Sequence, residues 1–147
     1  MGMDVNGKNP DSEVGEYFQN NVWHWHSLWD YCCEIAPELT SKVKYGHFND
    51  GDGLNVKDSK ALSIILKQKI LSGECAEDVK QYQARMDAMP DEPCDHCDST
   101  GKVDGKPCRH CEGKGSKRPF ATWYDLTVQN ISDFAEFLEH CGGFEIR

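Results

Sequence analysis

At 147 residues, with a formal net charge of −9 and a sequence pI near 5.0, the chain is long enough for one buried core without disulfide staples, and its surface as a whole repels nucleic-acid phosphates. No apolar run approaches the roughly 18 residues of a membrane-spanning helix, and no leader pattern stands at the start, so a cytoplasmic protein away from membranes is expected. Eight cysteines in such a chain point to metal ligation or free thiols rather than to a disulfide framework.

Residues 1–14 are polar and rich in Gly, Asn and Pro, which predicts a flexible N-terminal arm. A first helix is predicted from about Asn21 to Ala36, with Trp25, Trp29, Cys32 and Ala36 at helical spacing, Leu28 and Ile35 widening that face, and His24, Ser27 and Glu34 mostly opposite. Pro37 then ends the helix or opens a shorter one through Val43. The tryptophans read as core rather than as a ligand-stacking surface, because each ring buries up to ~250 Å². His24 and His26 lie about 200° apart on a helix and cannot share a metal there. A second metal site pairing His26 with Cys33 is the less favoured alternative.

The stretch GHFNDGDGLN, residues 46–55, lacks the ligand register of a calcium loop and reads as a structured turn. Asp50, Asp52 and His47 within it are the best candidates for a catalytic group. No recognised catalytic motif accompanies them, so the protein is not expected to be an enzyme. A second helix follows over Val56 to Ser72, capped by Asn55 and stopped by Gly73, with Leu62, Ile65, Leu66 and Ile70 on one face. A third, over about Cys75 to Ala88, places Val79, Tyr82 and Met86 together before Pro90 and Pro93.

Between Cys94 and Cys111 stand two C-x-x-C turns, CDHC and CRHC, ten residues apart. Two such turns joined by a hairpin present four thiolates to one point, the closed tetrahedral cage of one structural Zn²⁺ bound at about 2.3 Å per sulfur. Cys94, Cys97, Cys108 and Cys111 are the predicted ligands. Gly101, Gly113 and Gly115 sit where the backbone curls round the metal. Four thiolates on a dication leave a charge of minus two, which the nearby Lys102, Lys106, Arg109 and Lys114 offset. A thioredoxin-like redox pair would need a preceding strand and a following helix, and neither neighbour is present.

The run C-R-H-C-E-G-K-G, Cys108 to Gly115, resembles the C-x-x-C-x-G-x-G repeat in the cysteine-rich domain of DnaJ-type co-chaperones. Cys94 to Gly101 resembles it less fully, with Ser99 in place of the inner glycine. The likeness covers about 25 residues and two repeats where that family has four, so it implies one metal instead of two. It also implies the local fold and a polypeptide-binding role, but the chain has no His-Pro-Asp motif, and co-chaperone activity does not carry over. The flanks, N-V-W-H-W-H-S-L-W and S-D-F-A-E-F-L-E-H-C-G-G-F-E-I, are similar to small uncharacterised bacterial and phage proteins, a likeness that names no function.

Beyond the knuckles, ATWYDLTV alternates like a short strand, Val128 to Cys141 is a clear helix with Gly142 as its C-cap, and the tail GFEIR is β-prone and expected to pair with residues 122–126. The expected fold is therefore mainly α, about four helices with a small β zinc knuckle and a short C-terminal β element. Its expected segments are the arm 1–14, a helical body 15–92, a zinc hairpin 93–118 and a closing segment 119–147. Residues 94–118 hold six Lys/Arg against four Asp/Glu. Lys102, Arg109, Lys114, Lys117 and Arg118 are thus the candidate partner-binding residues. Three functions stay open: a zinc-stabilised protein-interaction module with an unidentified protein partner, an acidic inhibitor of a host's nucleic-acid machinery, and a nucleic-acid binder using those cations with Lys106 and Phe120.

Overall fold

The computed structural model describes residues 2–147, which divide into two compact units, residues 2–82 with 124–147 and residues 83–123. The architecture is mainly α with small β elements, as expected: five α-helices among the described residues, a three-stranded antiparallel sheet and two short strand pairs.

In the first unit, β1 (Gly2–Gly7) is the middle strand, flanked by β2 (Tyr17–Asn21) and by β7 (Phe144–Ile146). This corrects two expectations. Residues 2–7 of the expected arm are a strand instead, because Met3 and Val5 point into the core at 2 % and 0 % exposure, while Met1 lies outside the described residues. The tail does not pair with 122–126: Val5 faces Ile146, Asn6 faces Glu145 and Gly7 faces Phe144. Strand β1 gains a ladder on both sides and an apolar face from its alternation, which stabilises a segment whose own composition is that of a loop. Residues 120–123 form a 3₁₀ turn and 124–127 are irregular, not a strand.

Helix α1 (Val22–Ile35) starts where the Asn21 side chain accepts the His24 N–H at 2.9 Å, and the short α2 (Pro37–Thr40) follows with Pro37 at its first turn. Trp25 and Trp29 stack with ring centroids 5.7 Å apart in the core, and the Trp25 Nε1–H donates to the Gly46 carbonyl at 2.8 Å. Ser27, expected outside, is buried, and its hydroxyl donates to the Asp125 carbonyl. Helix α3 (Val56–Ser72) is capped by Asn55 and ends at Gly73, whose φ of +84° is a left-handed stop. Helix α4 (Glu74–Ala88) runs from the first unit into the second. Helix α5 (Val128–His140) is capped by Thr127 and buries Ile131, Phe134, Ala135, Phe137 and Leu138; Cys141 ends it and Gly142 takes the left-handed turn beyond.

The second unit contains β3 (Glu92–Pro93) paired with β6 (Ser116–Lys117), and the hairpin of β4 (Lys102–Val103) with β5 (Lys106–Pro107). Asp104 and Gly105, both at positive φ, make the two-residue turn of that hairpin. No helix of the described residues is long and apolar enough to cross a membrane.

Candidate metal centre

The structure brings Cys94, Cys97, Cys108 and Cys111 together with their sulfurs all within 4.8 Å of one another, and all four are buried. These four side chains are themselves the buried cluster of the second unit. The two knuckles are near copies in geometry as well as sequence. In one, the Ser99 N–H donates to the Cys94 carbonyl and the Gly101 N–H to the Cys97 sulfur at 3.2 Å. In the other, the Gly113 N–H donates to the Cys108 carbonyl and the Gly115 N–H to the Cys111 sulfur at 3.2 Å. The copies then lock together, Cys108 N–H on the Gly101 carbonyl at 2.8 Å and Cys94 N–H on the Gly115 carbonyl at 2.9 Å. Four buried sulfurs at one point, two of them accepting backbone N–H bonds, form a set able to hold a metal ion.

Left-handed backbone is what lets each knuckle close. Gly101 and Gly115 have φ of +77° and +78°, and a Cβ on either would lie 2.4 Å from the Gly113 oxygen or 2.6 Å from the Ser99 oxygen. Ser99 adopts φ +64° at the position where the second knuckle has Gly113 at +80°. The geometry of the repeat is thus kept at a serine, at some conformational cost. Burial works against the Cys111 thiolate, but the Gly115 N–H and the sulfurs of Cys97, Cys108 and Cys94 outweigh it and bring the thiol down to about 7.

Comparison with known protein families, curated proteins and solved structures finds no match. The resemblance to DnaJ-type repeats therefore rests on the two knuckles alone.

The basic residues divide. Lys117 pairs with Asp95 at 2.8 Å, and Arg118 bonds Asp91 at 2.9 Å and the carbonyls of Met86 and Met89. Both hold the second unit together. Lys102, Lys106, Arg109 and Lys114 are exposed and make no ion pair among the described residues. Phe120 and Trp123, each 57 % exposed, lie 5.3 Å apart and line an open groove with His110, Glu112 and Lys114.

Asp52 and His47, two of the turn residues singled out in the sequence, take different partners. The Asp52 carboxylate accepts the N–H groups of Tyr45 and Gly53, both at 2.9 Å, while His47 bonds His26 and Asp30. His26 is bonded to His47 and not to Cys33. Sequence reasoning missed two histidine pairs. The rings of His96 and His110 lie 3.9 Å apart between centroids, tilted by 38°, a pairing that their matching places in CDHC and CRHC could have signalled. His26 and His47 are brought together only by the tertiary fold. Glu136, Glu139 and His140 also cluster, but the Lys67 ammonium bridges the two carboxylates and Asp11 holds the imidazole.

Proposed function

We propose that the chain is a zinc-stabilised protein-interaction module, an adaptor or regulator. The observation that carries the zinc is that the second unit has the four cysteine side chains as its buried cluster, so the metal is what folds it. The 3.7 Å between the sulfurs of Cys97 and Cys111 fits a tetrahedron with 2.3 Å bonds, whose edge is about 3.8 Å. Four protein thiolates leave no ligand position for water or substrate, so the zinc is structural. Cysteines 94, 97, 108 and 111 hold it and supply the negative charge that Lys102, Lys106, Arg109 and Lys114 offset.

Charge favours a protein partner over nucleic acid. The second unit carries seven Lys/Arg and seven Asp/Glu before the cage adds its own negative charge, and the first carries nine against eighteen. Lys117 and Arg118, counted among the candidate contacts, are held in internal ion pairs. This leaves Lys102, Arg109 and Lys114, the last of which lines the groove of Phe120 and Trp123, as the surface offered to a partner. Purified protein is expected to contain one equivalent of zinc. Charge reversal of Arg109 and Lys114 is expected to weaken partner capture with zinc content unchanged. Loss of DNA or RNA retention with every protein partner spared would replace this reading with the nucleic-acid one.

The acidic excess of the first unit favours a second reading, an inhibitor that presents Asp and Glu to the phosphate-binding surface of a host nucleic-acid enzyme. Competition with duplex DNA for the captured partner separates the two.

A further inference from the structure

His26, in α1, and His47, in the turn after α2, place their Nδ1 atoms 2.7 Å apart, with ring centroids 4.7 Å apart. Two imidazole nitrogens at that distance repel through their lone pairs unless something positive lies between them, either a proton or a metal ion. Three features of the surroundings go beyond what a shared proton needs. First, the other nitrogen of His47 bonds the Asp30 carboxylate at 2.8 Å, the arrangement that fixes the tautomer and raises the basicity of a metal-bound imidazole. Second, both rings are held on rigid supports. Helix α1 carries His26 between the buried Trp25 and Ser27, and the turn carrying His47 is pinned by the Trp25 bond to the Gly46 carbonyl and by Asp52 on the N–H of Tyr45 and Gly53. Third, 2.7 Å is close to the spacing of two ligands at right angles on a metal at about 2.0 Å, which is about 2.8 Å.

We propose that His26 and His47, with Asp30 behind His47, form a second metal site, separate from the four-cysteine cage, that takes a late first-row divalent cation in tetragonal geometry, nickel or copper. Two neutral imidazoles supply two adjacent ligands, and the remaining positions belong to water, since both rings are only half-buried.

The test uses zinc-loaded full-length protein titrated with Ni²⁺ in a calorimeter. Wild type is expected to bind one further equivalent, and His26→Ala and His47→Ala are each expected to abolish it with zinc content and circular dichroism unchanged. Asp30→Asn, which keeps both ligands, is expected to weaken binding by roughly 10- to 100-fold. The double variant His96→Ala/His110→Ala is expected to bind as wild type does. Should the histidine variants fail to fold, proton NMR of wild type is expected to show the ring signals of His26 and His47 broadened first by paramagnetic Cu²⁺. No nickel binding by wild type, binding unchanged in His47→Ala, or loss that follows His96 and His110 would overturn the site and leave the pair bridged by a proton.

Discussion

Adding a single methyl group at Gly101 tests the metal cage most directly. The residue has φ +77°, where an L-residue costs about 1–2 kcal/mol, and the new Cβ would lie 2.4 Å from the Gly113 oxygen, so the backbone must shift. The shift falls on the Gly101 N–H, whose bond to the Cys97 sulfur is a hydrogen bond to a charged group worth about 1.5–3 kcal/mol. Together the effects reach about 2.5–5 kcal/mol, and on the proposed zinc reading, in which folding of this unit and metal binding are one event, Gly101→Ala should lose about two to three and a half decades of zinc affinity, at roughly 1.4 kcal/mol per decade. Gly115→Ala should match it, since the second knuckle repeats the geometry with an oxygen at 2.6 Å. Gly105→Ala is the control. It has nearly the same φ, +75°, but nothing within 4 Å of its Cβ, so only the backbone cost applies, about tenfold in affinity. Competition against a chromophoric chelator measures all three. If Gly101→Ala binds zinc as tightly as Gly105→Ala, the N–H to sulfur bonds and the close approach of the two knuckles do not hold the cage.

Ser99→Gly should tighten zinc binding or raise the melting temperature of the second unit, by about 1 kcal/mol, since it relieves a left-handed serine and restores the glycine of the other repeat. Chelation, or Cys108→Ser, should remove the amide dispersion of residues 94–117 in NMR while the helical signal of the first unit persists, because that unit has its own core. Trp29→Ala, which empties a site 2 % exposed, should cost about 3–5 kcal/mol by chemical denaturation. In wild type, iodide should quench Trp123 and leave the blue-shifted emission of Trp25 and Trp29, and uniform quenching would place those rings on the surface. Burial opposes the Asp52 carboxylate, but the backbone N–H groups of Tyr45, Gly53 and Lys44 outweigh it, so its pKa lies below the ordinary value. Its stabilising contribution is therefore complete above about pH 4, the unfolded value, and is lost as pH falls through the lower folded one. Asp52→Asn should lower the melting temperature of the first unit at pH 7 and converge with wild type near pH 2, and an equal deficit at both would remove the carboxylate from the turn's stability.

The parts read correctly from the sequence are those where the chemistry lies close along the chain. Asn55 and Gly73 bound α3 because a cap and a left-handed stop act within one helical turn. Trp25 and Trp29 share a face because the helical period puts them there, and the cysteines converge because each C-x-x-C turn and its glycine form a local device used twice. Where the reading failed, the deciding partner was far away in sequence. Residues 2–7 read as an arm because Met3 and Val5 alone are a weak alternation, and their strand forms only against Tyr17–Asn21 on one side and Phe144–Ile146 on the other. The tail was assigned to a nearby segment for want of any local signal for the distant one, and Lys117 and Arg118 looked free until Asp95 and Asp91 came within reach. The sequence by itself thus determined the main helices, the Asn55 cap and Gly73 stop of α3, and the convergence of the four cysteines, all products of short-range periodicity and spacing. Only the tertiary structure decided the central place of the N-terminal strand, which cations remain exposed, and the meeting of His26 with His47, because each depends on contacts closed across long loops that no local pattern encodes.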